Sequence, residues 1–255
     1  MTILITGHMG FIGRNLFQHL KEGGYDCVGV DIKDGKDILK CSLPSCSTII
    51  HLAALAGVRK SRENPDEYWR VNVEGSKRIF EHAQKWHAKV LYASSSSVKQ
   101  WHTSPYAATK KAVEALAPEH SIGMRFHTVY GLHSRPDMMY QMLINNTAKY
   151  YTDHSRDFTS IHDLVRAVEL LLNKYDDVDE KYIDIGTGRP TKVKDLVEAA
   201  GRELPLKDVT GEQESSKADT TIMNSLGWYP HNDVLDDIKY DILYEDKMEE
   251  LFKHW

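Results

Sequence analysis

A chain of 255 residues that is 41% hydrophobic and 27% charged can bury a full core, as one large domain or one domain with a small lobe. Its formal charge of -5 supplies no basic field for a phosphate backbone, and no Lys/Arg cluster is interleaved with aromatics, so no nucleic-acid partner is expected. No apolar run is long enough to span a bilayer, "MTILITGHMGFIG" carries no charged leader or cleavage site, and Cys27, Cys41 and Cys46 make no disulfide or zinc framework, so the expected address is the cytoplasm.

The first apolar run, "TILITG", reads as a buried strand and leads directly into "GHMGFIG". Gly7, Gly10 and Gly13 stand three apart there, at the mouth of a helix expected over Phe11 to Lys21 with Ile12, Leu16, Phe17 and Leu20 on one face. Glycines in that place allow a tight turn, let backbone approach a pyrophosphate and let helix and strand pack closely, while the helix N-terminus attracts the anion. The spacing differs by one residue from the commonest dinucleotide fingerprint. The second strand, "CVGVD", ends on Asp31, where a carboxylate can accept both ribose hydroxyls of adenosine and repel a 2'-phosphate. That favours NAD over NADP, with Lys33 and Lys36 close by and a plain turn aspartate as the alternative. A third strand, in "STIIHLAALAG", ends in Ala53, Ala54 and Gly57, which suit either backbone contact with a cofactor or buried packing.

A helical segment over Pro65 to Trp86 precedes the strand "KVLYA", which delivers Ser94 to Ser97 to the ligand-binding edge of a parallel sheet. Tyr106 and Lys110 follow, four apart on one face of a helix whose first turn follows Pro105. A tyrosine of reference pKa ~10 is a poor base near neutrality, but an adjacent ammonium and a positively charged nicotinamide both favour the phenolate. Tyr106 then exchanges a proton with a substrate hydroxyl held by a serine of the neighbouring strand, and Lys110 can also bind the nicotinamide ribose.

The run "IGMRFHTVYG" reads as a further strand; from Arg135 to Asp157 the pattern loosens around Met138, Met139, Tyr140, Tyr150 and Tyr151, where a smaller lobe begins. Helical spacing returns in "IHDLVRAVELLL" and "KVKDLVEAAGREL", with the strand "YIDIG" between them and an amphipathic helix, "DILYEDKMEELFKHW", at the end. Alternating strands and helices predict an α/β fold, a Rossmann-type doubly wound parallel sheet with a small C-terminal substrate-binding lobe. The expected division is residues 1–130 for NAD and 131–255 mainly for substrate, with about 161–190 returning to the first domain. The histidines include no HExxH; His82 and His87 are off a shared face and read as surface residues, and no metal site is expected.

The motifs "HLAALAGVRKSRENPDEY", "SSSSV", "YAATKKA", "RFHTVYG", "SRPDM" and "RDFTSIHDLV", in that order, resemble the extended short-chain dehydrogenase/reductase family and within it the nucleotide-sugar epimerases, closest to UDP-glucuronate 4-epimerases. The likeness runs from the first strand to "KADTTIMNSLGWYP". It implies NAD as cofactor, Ser95 as the catalytic serine, Tyr106 as the base and Lys110 as its partner. It adds Phe11, Ile12, Asp37, Ile38, Leu52, Ala53 and Ala54 to the cofactor site. It places Ser96, Ser97 and Thr128 near a sugar C6 carboxylate, Arg135 at the substrate end and Arg156 at the diphosphate. The implied reaction is C4 epimerisation of a UDP-linked hexuronate through a 4-keto intermediate, in a homodimer formed by the helices around Lys77 and Tyr106. A 4,6-dehydratase or decarboxylase would need an acidic residue where Ser96 and Ser97 stand; a non-catalytic NAD-binding protein would not need the intact trio. The chain is shorter than the family between Asp31 and His51, between Ser95 and Tyr106, and between Arg135 and Arg156, and acidic residues stand in "GEQESSKAD", a region often near the diphosphate.

Overall fold

The computed structural model describes residues 2–209 and 214–252. In chain order its strands are β1 (Thr2–Thr6), β2 (Asp26–Val30), β3 (Thr48–His51), β4 (Lys89–Ser95), β5 (Ser121–Phe126), β6 (Thr128–Tyr130), β7 (Ser155–Ser160), β8 (Tyr182–Ile185) and β9 (Pro190–Lys192). Its α-helices are α1 (Phe11–Glu22), α2 (Val58–Glu63), α3 (Pro65–Trp69), α4 (Gly75–Trp86), α5 (Pro105–Leu116), α6 (Met139–Ile144), α7 (Ile161–Asn173), α8 (Val193–Ala199), α9 (Thr221–Ser225) and α10 (Val234–Phe252). Residues 253–255 of the expected terminal helix and 211–213 of the acidic segment "GEQESSKAD" lie outside the described residues.

Six strands form one parallel sheet in the order β2-β1-β3-β4-β5-β8. Successive residues of a strand point to opposite faces, so Ile3 and Ile5 enter a core with Leu16 and Leu20 of α1 and Leu164 and Val168 of α7. Leu4 joins a second core with Ile79 and Phe80 of α4 and Val113 of α5. Burial on both faces explains the near-continuous apolar runs of β1 and β3. From β1 the chain steps outward to β2 and then crosses back to β3 on the other side. That reversal opens a crevice beyond the C-terminal ends of β1 and β3, the usual ligand position in such sheets.

The run read as one strand in "IGMRFHTVYG" is two. β5 ends at Phe126, His127 donates its backbone N–H to Ile185 O at 3.1 Å, and Thr128 then pairs with Phe158 in a second sheet of β6, β7 and β9. This sheet packs near a third core holding Tyr130, Tyr140, Leu143, Phe158, Leu196 and Ile238, whereas α7 and β8 contribute to the first. β7 has no apolar alternation to announce it. Its Asp157 is fully buried because the carboxylate accepts N–H groups from Thr187 (2.7 Å), Gly188 (2.8 Å) and Ala218 (2.9 Å). The expected helix over "KVKDLVEAAGREL" runs only from Val193 to Ala199: Lys192 pairs with β7 as the last residue of β9, and Gly201 takes a left-handed φ of +64° just past the helix end. Pro65 to Trp86 is helical throughout, with a π-helical turn at Arg70–Glu74.

Candidate active site

The first turn is built by close approach. Gly7 has φ +72°, and a Cβ there would lie 2.7 Å from Ala53 N; a Cβ on Gly13 would lie 2.0 Å from Gly7 O. Backbone from β1, α1 and the end of β3 therefore converges in a space that side chains would fill, at the N-terminal end of α1. The cradle fits a dinucleotide pyrophosphate. At the tip of β2 the buried Asp31 accepts the N–H groups of Met9 and Lys33, both at 2.9 Å. The ammonium of Lys33 donates to Met9 O at 3.1 Å, and that of Lys36 pairs with Asp34 at 3.0 Å, so neighbours take up both lysines. Asp37 accepts Leu39 N–H at 2.9 Å, while Ile38 is buried against Gly75. Leu52 and Ala53 donate to Thr6 O (3.1 Å) and Thr6 Oγ1 (3.3 Å); Phe11 and Ile12, partly buried, pack on the first core.

Two residues here escaped the sequence reading. His51, buried at the end of β3, meets Thr6 Oγ1 through Nδ1 at 2.6 Å and Ser76 Oγ through Nε2 at 2.9 Å. Ser76 donates its only proton to Asn72 O, so His51 carries hydrogen on Nε2 and accepts from Thr6. Burial, helped by the nearby Lys110 charge, lowers the His51 pKa to about 3, which keeps the ring neutral. Asn72, in the π-helical turn, accepts Leu55 N–H at 2.7 Å and donates to Leu55 O and Thr109 Oγ1, both at 3.0 Å. It ties the loop after β3 to α5; π-helical turns recur at functional sites. A histidine inside an apolar run was the one available signal for His51, and Asn72 had none.

Ser95 ends β4 and Tyr106 sits in the first turn of α5, which Ser104 caps by accepting Ala107 N–H at 3.2 Å. Ser95 Oγ accepts Ser97 N–H at 3.2 Å and lies near enough to Tyr106 to lower its phenol. Burial raises the Tyr106 pKa, and Ser95 and the positive charge of Arg135 offset only part of that rise. Lys110, expected to favour the phenolate, donates instead to Ala93 O at 2.7 Å, and burial lowers its pKa to about 8. Serine, tyrosine and lysine thus come together beside the crevice, while the chain's own charges leave the tyrosine above its ordinary value.

Next to them lies a cavity of about 490 Å³ that brings together Ser96, Ser97, Thr128, Arg135 and Arg156. Arg59, Gln100 and Lys149 also line it, and the sequence reading had not singled them out. Arg135 donates to Asp137 at 3.0 Å, and Arg156 to Ser155 O at 2.9 Å. The short rim between Ser95 and Tyr106 forms 3-10 turns over Ser96–Thr103, anchored by Lys99 to Asp184 at 2.5 Å. Burial alone would raise the Asp184 carboxyl, but hydrogen bonds from His127, Lys99 and Asp219 N–H hold it well below the usual carboxylate range. Among the described residues no His/Cys/Asp/Glu group could hold a metal ion, and no helix is long and apolar enough to cross a membrane.

The family model for the NAD dependent epimerase/dehydratase family matches residues 3–186. UDP-glucuronate 4-epimerase of Thermodesulfobacterium geofontis is 29% identical over 318 residues, an alignment covering 98% of either chain. Among solved structures, MoeE5 in complex with UDP-glucuronic acid and NAD matches with TM-score 0.84 at 28% identity, over 97% of this chain and 100% of that one. A tyrosine-to-phenylalanine mutant of UDP-glucuronic acid 4-epimerase from Bacillus cereus, in complex with UDP-4-deoxy-4-fluoro-glucuronic acid and NAD, matches with TM-score 0.86 at 26% identity, over 97% of this chain and 100% of that one.

Proposed function

This chain belongs to the NAD dependent epimerase/dehydratase family, and from that premise we propose that it interconverts UDP-glucuronate and UDP-galacturonate by epimerisation at C4. The observation that carries the reading is the meeting of Ser95, Tyr106 and Lys110 beside the glycine cradle, next to a cavity lined by hydroxyls and guanidiniums.

When bound, NAD supplies the acceptor for the C4 hydrogen as hydride and its return to the opposite face of the resulting 4-keto sugar. Tyr106 takes the C4 hydroxyl proton and later gives it back, with Ser95 holding that hydroxyl in line. Lys110, below its pKa of about 8 and donating to Ala93 O, would present its remaining N–H groups to the nicotinamide ribose. Asp31 would accept the adenosine ribose hydroxyls, and Asp37 and Ile38 would stand on the adenine side. Phe11, Ile12, Leu52, Ala53 and Ala54 would hold the rest of the cofactor.

A 4-keto uronate loses its carboxylate as carbon dioxide when that group rotates into line with the ketone. Ser96, Ser97 and Thr128 therefore hold the carboxylate by hydrogen bonds while the ring turns, Arg135 faces the sugar and Arg156 the diphosphate. No carboxylate stands at Ser96 or Ser97 to repel the uronate or to start dehydration. The working unit is a homodimer through α4 and α5, consistent with the exposure of Trp86 and Leu116 at their ends.

NMR of the sugar products after incubation with UDP-glucuronate and no added cofactor tests the reading. UDP-galacturonate is the expected product. A UDP-pentose or 4-keto-6-deoxy sugar as the main product would assign the chain to another reaction, and bound NAD without turnover would make it a binding protein.

A further inference from the structure

A doubly wound sheet of the Rossmann kind ordinarily carries a further strand outside its second, in the order 3-2-1-4-5-6. Here β2 is the edge of the six-stranded sheet, and the chain runs from Asp31 to the start of β3 through one 3-10 turn, Ile32–Asp34, and an irregular loop. That loop carries Asp37 and Ile38. A loop with no strand to pair with needs its carbonyls satisfied by other donors if it is to keep one shape.

Those donors come from α4. Arg78 donates from its two terminal nitrogens to Ile38 O and Cys41 O, so one planar guanidinium spans the loop. His82, one helical turn further along, donates from Nε2 to Pro44 O at 2.9 Å. It is therefore half-buried and engaged, not the surface residue expected from its spacing, whereas His87 is exposed. The loop folds back on itself as well: Asp37 O accepts the N–H groups of Lys40 (2.9 Å) and Cys41 (2.8 Å). Ile38 packs so closely that a Cβ on Gly75 would lie 2.7 Å from its Cδ1.

We infer that Arg78 and His82 are positioning residues that replace the missing strand, holding the Asp37–Pro44 loop as the wall of the adenine site and so setting affinity for the adenosine half of the cofactor. The inference rests on the cofactor reading given above. It separates the two halves of NAD, because the loop lies by the tip of β2, whereas Tyr106 and Lys110 lie beyond β4 on the other side of the crevice.

Titration calorimetry with NAD, ADP-ribose and nicotinamide mononucleotide, on the unmutated protein and on Arg78→Ala, Arg78→Lys and His82→Ala, tests it, with thermal unfolding of each variant alongside. Arg78→Ala should weaken ADP-ribose binding about tenfold or more and leave nicotinamide mononucleotide within about twofold. Arg78→Lys, with a single point donor, should fall between, and His82→Ala should show the smaller loss expected for one of three bonds. Equal weakening of both half-ligands would reduce the clamp to general structural support and overturn the inference, as would unchanged ADP-ribose binding in a folded Arg78→Ala. Failure of the unmutated protein to bind NAD would instead bring down the cofactor reading together with the inference.

Discussion

At Tyr106 two effects compete, and the protein's own contribution goes the wrong way for a base: burial raises the phenol, and Ser95 and Arg135 offset only part. If Tyr106 is the base proposed above, charge arriving with the nicotinamide would complete its activation and tie proton transfer to cofactor occupancy. Tyr106→Phe keeps the ring and its edge-to-face contact with Tyr68 at 6.4 Å, so NAD affinity measured by calorimetry should persist while turnover falls about 10²–10⁴-fold. Near wild-type turnover would remove Tyr106 from its role. Ser97→Ala should harm the UDP-glucuronate reaction more than any residual UDP-glucose reaction in parallel NMR assays, because a lost hydrogen bond to a charged group is worth roughly 1.5–3 kcal/mol. His51 makes a separate, pH-dependent prediction. Its folded pKa of about 3 lies below the ordinary 6.5, so the unfolded chain binds the extra proton between those values, and this stability is full above pH 6.5 and lost progressively toward pH 3. In urea unfolding, the advantage of wild type over His51→Gln should therefore shrink on acidification, by up to ~1.4 kcal/mol per pH unit in that window. An advantage that stays constant with pH would show that His51 is not held neutral. Ser95, Tyr106 and Lys110 were legible because strand-end position and helical spacing are local properties of sequence. His51 and Asn72 were not, because their partners Thr6, Ser76, Leu55 and Thr109 come from elements that meet only in the fold.

Among the elements, the turn from β1 into α1 was readable for the same local reason: three glycines between an apolar strand and an amphipathic helix admit few conformations. Its tightness can be tested directly. The atom nearest a Cβ on Gly13 is backbone, Gly7 O at 2.0 Å, with His8 Cα at 2.8 Å, so neither can rotate away as a flexible side chain could. Gly13→Ala should push α1 off the sheet, cost roughly 1–3 kcal/mol of stability in denaturant melts as overpacking does, and weaken NAD binding at least tenfold. Retained affinity would show that the cradle is not where the pyrophosphate sits. Elsewhere the sequence was read less well, and for identifiable reasons. The break between β5 and β6 hides in one largely apolar run, because only the sheet that receives the chain changes at His127. β7 hides because its buried Asp157 looks like a surface residue until its N–H donors arrive from beyond β8. β9 is short and mostly exposed, and its three residues, Pro190 to Lys192, carry no apolar alternation.

Across the whole molecule, the sheet gathers the ends of β1, β3, β4 and β5 along one edge, and the chemistry collects there while α4 and α5 cover one face. The bulk of those helices is explained by that cover: Ile79, Phe80 and Ala83 of α4 and Val113 of α5 are buried. Their last residues are not. Trp86 at the end of α4 is 47% exposed and Leu116 at the end of α5 is 46% exposed, large apolar surfaces at the ends of two helices packed on the same core. Isolated exposed apolar residues are common, so the pair gains meaning only if a second copy covers it, and a stable interface of that kind buries roughly 1,200–2,000 Å² in total. Sedimentation velocity should then give twice the chain mass. Trp86→Glu combined with Leu116→Glu should give a monomer, because a two-fold interface meets each introduced charge twice. The double variant should retain NAD affinity per chain, since both positions lie at the far ends of their helices from Gly75 and Tyr106, the residues nearer the cofactor crevice. A wild-type monomer, or a dimer indifferent to both substitutions, would move the contact to another face or abolish it.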